Sequence, residues 1–137
     1  YEIVVFSSVF PQFEHLLKND QPVMIQGRLN SDINDSPLKL IGESIIPLDQ
    51  APEKLTDSVL LSVDSNSFDE DTLHRLKMAF RSSPGVSRLY FHVSGNGSVE
   101  LNFRSRSLAI KMTFATLNQI TAILGRENIH VKLRETA

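Results

Sequence analysis

Four histidines, His15, His74, His92 and His130, sixteen carboxylates and no cysteine are the groups from which this 137-residue chain could assemble a reactive or metal-binding site. The histidines lack the close pair spacings that a zinc site needs, and no thiolate is present to complete one. Asp69, Glu70 and Asp71 are three consecutive acids, but at the start of a helix such a run complements the helix dipole without any metal. Gly95-Asn96-Gly97 is followed by neither Lys nor the rest of a phosphate-binding loop, and there is no Gly-x-Ser-x-Gly. The pattern therefore assigns this segment no catalytic residue, no metal and no cofactor. What remains are cations, which can hold phosphates or an acidic partner.

Those cations are unevenly spread. Residues 1–71 carry 13 Asp and Glu against 4 Lys and Arg, whereas residues 72–137 carry 3 against 10, beneath a net charge of −2. Halves of opposite sign suggest distinct modules or a self-complementary surface; the bland alternative is that the Lys and Arg solvate exposed faces. A hydrophobic content of 41% is enough for a packed core, in one ordinary domain or two small ones. No apolar run approaches the length of a membrane span, no signal-peptide pattern is present, and the lack of Cys fits a reducing compartment. The expectation is a cytoplasmic chain with no membrane segment.

The elements that must position these residues are legible from periodicity. Glu2 to Phe6 reads as a strand, and Phe10, Phe13, Leu16 and Leu17 recur at helical spacing, with Pro11 in the first turn and Ser7 or Ser8 able to cap it. Gln21 to Leu29 alternates as a strand with Pro22 at its entrance and Gly27 where a small barrel must bend. A turn-rich loop over residues 30–37 carries Asp32 and Asp35, which would repel phosphates; Leu38 to Ile46 is another strand. Strand, short helix, strand, strand is the second half of an OB-fold barrel. The expected organisation is thus a partial OB module over residues 1–50, a linker over 51–56 marked by Pro47 and Pro52, and an α+β domain over 57–137.

In that domain Ser58 to Val63 reads as a strand, Ser67 and Glu70 fit a capping box, and Leu73, Leu76, Ala79 and Phe80 form the buried stripe of a helix ended by Ser83-Pro84-Gly85. Leu89 to Val93 and Val99 to Phe103 form a hairpin around Asn96-Gly97, and Leu108, Ile110 and Met112 mark a further strand after a turn at Ser105-Arg106-Ser107. Thr113 caps a second helix burying Phe114, Leu117, Ile120, Thr121 and Leu124, Gly125 ends it, and Ile129, Val131 and Leu133 make a last strand. The expected order is β-α-β-β-β-α-β, with helices on one side of a largely antiparallel sheet. Tyr90, His92, Glu100, Asn102 and Arg104 then share the open face, either as a binding surface or as an ordinary wet one.

Taken in order, Glu2 to Phe6, Phe13 with Leu16-Leu17-Lys18, Pro22 to Arg28 and Leu40 to Ile46 resemble the OB module near the C-terminus of the alpha subunit of DNA polymerase III, the bacterial replicative polymerase. Pro84-Gly85, Val99-Glu100-Leu101, Leu124-Gly125 and Asn128 to Val131 are similar to the final domain of that subunit. The resemblance covers nearly the whole chain, and the order of the motifs is more specific than any one of them. It implies an accessory region of a DNA-directed DNA polymerase, a nucleotidyltransferase whose Mg-binding aspartates lie in a palm domain with no counterpart here. The OB module is implied to meet single-stranded DNA, weakly in this chain, and the last domain to bind the tau subunit of the clamp loader.

Residues follow from that implication. Arg28 stands in the family's Gly-Arg step and, with Lys39, is the candidate for nucleic acid; Arg28 read alone could equally be a solvated edge arginine. Arg126, Asn128, His130, Lys132 and Arg134, on a terminal strand of alternating cationic and apolar residues, are the candidates for partner binding. Residues 128–133 lack the initial Gln and final aromatic of a clamp-binding peptide, which counts against a sliding-clamp contact. A freestanding OB-type single-strand binder and a purely protein-binding adaptor are the alternatives. Because an OB barrel has two strands ahead of the one over Glu2 to Phe6, the Ile3-Val4-Val5 edge is expected to pair with a second copy or to pack on the second domain.

Overall fold

The computed structural model describes residues 2–18, 20–30, 37–97 and 100–135. Asp32, Asp35 and Val99, each given a place above, lie outside the described residues. The protein is a mixed α/β chain, with two sheets and four α-helices among the described residues, divided into compact units of residues 1–51 and 52–137.

In the first unit, β1 (Glu2–Val4) leads to α1 (Phe10–Leu17), β2 (Val23–Asn30) and β3 (Lys39–Pro47), which form a sheet in the order β1-β3-β2. β1 runs parallel to β3 and β2 runs antiparallel to it. Pro11 sits in the first turn of α1, where its missing N–H breaks no helical bond. Neither Ser7 nor Ser8 caps this helix. Its N-cap is Val9, without a side-chain cap, and the Phe6 carbonyl instead accepts from the N–H groups of Val9 and Phe10 at 2.9 Å. The bend expected at Gly27 takes the form of a register shift between Gln26 and Gly27. This unit buries little: Ile45, Ile46 and Ala51 are inside, whereas Ile3 (47% exposed), Phe6 (54%) and Leu29 (70%) are not.

Residues 51–55, read from the sequence as linker, form a short helix, α2 (Ala51–Leu55), with Ala51 buried. Pro52 is compatible with it because a proline near a helix start forfeits no bond. The second unit continues through β4 (Thr56–Asp64), α3 (Glu70–Ser82), β5 (Pro84–Ser94), β6 (Glu100–Ile110), α4 (Phe114–Leu124) and β7 (Ile129–Leu133). Its sheet has the order β6-β5-β4-β7, with β4 and β5 parallel across the α3 crossover and the other two pairings antiparallel.

The order is therefore β-α-β-β-α-β, with two strands rather than three between the helices. Ser105-Arg106-Ser107 does not reverse the chain: pairing passes from Tyr90–Arg104 to Arg88–Ala109, so residues 105–108 bulge within one long strand, and the Ser105 hydroxyl accepts from the Leu108 N–H at 3.1 Å. The cap of α3 also differs. Asp69, not Ser67, is the N-cap and accepts from Thr72 N–H at 2.8 Å, while the Ser67 hydroxyl donates to the Asp64 carbonyl. Thr113 caps α4 as expected and Gly125, at φ 85°, ends it.

Val59, Leu61, Leu89, Ile110 and Ile129 from the strands meet Leu76 and Phe80 from α3 and Ile120 from α4 in one core. Both helices thus cover the same face of the sheet, each fully buried Leu or Ile contributing about 1.5–3 kcal/mol of burial free energy. Two residues placed in the stripes are not inside: Leu73 is 39% and Phe114 47% exposed. Thr116 is buried instead, its hydroxyl donating to Ser83 at 3.2 Å.

Candidate functional site

In the first unit the two nucleic-acid candidates lie on different strands and each faces a carboxylate. Arg28, on β2, pairs with Glu43 at 2.5 Å, and Lys39, the first residue of β3, pairs with Glu2 across the parallel β1–β3 contact at 3.2 Å. Both cations are partly neutralised where a phosphate would have to displace the acid.

The five terminal candidates separate into two groups. Arg126 Nη1 donates to the Ile129 carbonyl at 2.7 Å and Asn128 Nδ2 to the Leu124 carbonyl at 2.7 Å, the latter satisfying an orphan acceptor in the last turn of α4. Arg134 Nε donates to the Thr56 carbonyl at 3.2 Å, and its backbone N–H to Leu55 at 2.7 Å. These three side chains tie down the two ends of β7. His130 and Lys132 do something else. Ile129 and Val131 face the core, so His130 and Lys132 point to the opposite, helix-free face, where the register sets them beside Leu60 and Ser58.

Extending the register across the sheet gives that face its composition. One row runs Lys132, Ser58, Arg88; the next runs His130, Leu60, Tyr90, Arg104; a third joins Ser62, His92 and Asn102. A shallow groove of about 460 Å³ lies over the first two rows. Arg88 is not free in it: Nη2 contacts both Asp57 oxygens, at 2.6 and 2.5 Å. The Arg88 hydrogen bond holds the Asp57 carboxyl below its usual range, and Asp57 in turn raises the Arg88 guanidinium above its own. Among the described residues, Lys132 and Arg104 have no carboxylate within ion-pair distance and His92 Nδ1 meets Asn102 Oδ1 at 2.7 Å. Also among the described residues, no group of three His, Asp or Glu side chains could hold a metal ion, and no helix is long and apolar enough to cross a membrane.

Sequence reasoning passed over Asp57 and Arg88 because they are 31 residues apart and meet only through the parallel β4–β5 pairing. It also missed an apolar groove of about 320 Å³ on the helix side, lined among others by Phe68, Leu73, Phe80, Phe91 and Phe103. Composition gave no signal for it, since the eight Phe divide equally between residues 1–71 and 72–137.

No protein-family model matches the chain. Against curated proteins it is similar to DNA polymerase III subunit alpha of Escherichia coli O157:H7, 21% identical over 141 residues that cover 96% of this chain. The same subunit of Escherichia coli strain K12 is 20% identical over the same share. The similarity is to a DNA polymerase subunit. It relates nearly the whole chain to a short region of that subunit, since the chain spans only about a tenth (11%) of the length of these relatives.

Proposed function

We propose that this chain acts as an accessory region of a bacterial replicative DNA polymerase, the DNA polymerase III alpha subunit, binding rather than catalysing. The observation that carries this reading is the similarity to that subunit, colinear over 96% of the chain. In the first unit, the strand, short helix, strand, strand order, the register shift at Gly27 and the exposed Ile3, Phe6 and Leu29 support the OB-type reading of these residues. In the second unit, β7 is an edge strand presenting His130 and Lys132, which supports docking of the clamp-loader tau subunit by strand addition. Single-stranded DNA contact through Arg28 and Lys39 is weak because both are ion-paired. That pairing is also what favours the second reading, a purely protein-binding adaptor.

Deleting residues 128–137 would remove Ile129 from the core, so docking is better tested by substitution. His130→Glu with Lys132→Glu should abolish capture by immobilised tau while thermal unfolding is unchanged, and undiminished capture would overturn the docking site. With a labelled single-stranded oligonucleotide, weak binding that fades as salt rises supports the polymerase reading, because phosphate contacts release counterions. Complete absence of binding at low salt favours the adaptor.

A further inference from the structure

We propose that two copies of this chain associate through β6, pairing antiparallel about a two-fold axis at Asn102. The proposal goes beyond the polymerase reading and does not depend on it. β6 is an outer strand: among the described residues it pairs with β5 alone, so its outward main-chain N–H and C=O groups have no strand partner. Sheet edges of this kind are normally blunted, yet this one carries Leu101 at 58% and Phe103 at 50% exposure.

The sequence along that edge, Glu100-Leu101-Asn102-Phe103-Arg104, is complementary to itself when reversed. A two-fold at Asn102 sets Glu100 of one copy opposite Arg104 of the other, and Leu101 opposite Phe103, twice each. The faces agree as well. Glu100, Asn102 and Arg104 lie opposite Ser94, His92 and Tyr90 on the helix-free face, where the two ion pairs would form. Leu101 and Phe103 lie on the helix side, where Phe103 already stacks on Phe91 with centroids 5.0 Å apart, so the second copy's Leu101 would cover that ring at the rim of the apolar groove. Directly opposed charge pairs and apolar pairs are the stabilising units of an antiparallel contact. The bulge after Arg104 ends the regular pairing and thereby selects this five-residue register. An isologous contact of this kind closes at two copies.

Sedimentation equilibrium of the whole 137-residue chain tests this. The expected result is a reversible monomer–dimer equilibrium. Arg104→Glu and Glu100→Arg each set like charges opposite one another at both ends and should weaken dimerisation about tenfold or more, and the combined Glu100→Arg, Arg104→Glu swap should restore it. Glu100 and Arg104 are both exposed, as is Asn102, and unchanged circular dichroism will verify the fold. Because the chain lacks cysteine, Asn102→Cys gives a second readout: opposed Cα atoms in an antiparallel pair are roughly 4.5–5.5 Å apart, within disulfide reach, so mild oxidation should link the two copies. A monomer at every concentration would overturn the proposal. So would a dimer insensitive to Arg104→Glu, or one separated instead by Val4→Lys, which would place the contact at β1.

Discussion

Gly27 and Gly42 stand opposite each other where β2 slips register against β3. A Cβ on Gly27 would lie 1.9 Å from the Ile41 carbonyl oxygen, a backbone atom with nowhere to go. Gly27→Ala should therefore destabilise the first unit by about 1–3 kcal/mol, the usual cost of overpacking, read as a lowered urea midpoint for its amide signals in NMR. Asp57 allows a prediction about pH. Its folded pKa lies below the unfolded one, chiefly through the Arg88 hydrogen bond, so its contribution is present above the unfolded value near 3.8 and is lost as pH falls through the lowered folded value. Asp69 behaves alike through Thr72. Asp57→Asn should flatten the fall in stability below about pH 4, as measured by denaturant midpoints along a pH series, and an undiminished slope would count against the Asp57–Arg88 pair as a cause.

At the scale of elements, α4 is held at both ends by groups the sequence displays. Thr113 Oγ1 accepts from the Thr116 N–H at 3.1 Å, and Gly125, at the positive φ of 85° that glycine tolerates, ends the helix with its N–H donating to the Thr121 carbonyl. Thr113→Ala should cost about 1 kcal/mol, measurable by chemical denaturation, with most of it recovered in Thr113→Ser. β6 shows why element boundaries are harder. Ser105-Arg106-Ser107 has turn composition, yet a bulge accommodates it because β5 continues on the far side of the gap and rewards the strand for resuming at Ala109. Leu73 illustrates the same limit on α3: its spacing fits the apolar stripe, but the sheet beneath it ends in a groove rather than in core.

For the whole molecule, the division into two units with unequal interiors has a thermodynamic consequence. The second unit owns a continuous core from Val59 to Ile129, while α1 in the first buries none of its residues completely. We expect two unfolding steps in calorimetry, the first unit melting at the lower temperature. Leu76→Ala, which empties a site only 1% exposed, should lower the upper step by about 2–5 kcal/mol and leave the lower one in place. A single transition that both Leu76→Ala and Gly27→Ala shift equally would show that the units fold as one.

Periodicity, caps and glycine positions determined most of the elements, because each depends on neighbours a few residues away: the α4 cap and stop, the bend at Gly27, and the strands over residues 23–30, 39–47 and 129–133. The order of motifs likewise suffices to align the chain with a polymerase subunit. Only the tertiary structure decided which charges are available. Arg28, Lys39 and Arg88 each meet a carboxylate brought in by strand pairing, while Arg126, Asn128 and Arg134 turn back onto backbone carbonyls, and this left His130 and Lys132 alone of the terminal set on an open face. The physical reason is that a cation's role is set by what lies within a few ångströms of it, and in a sheet joined by a helical crossover that neighbour comes from 31 residues away.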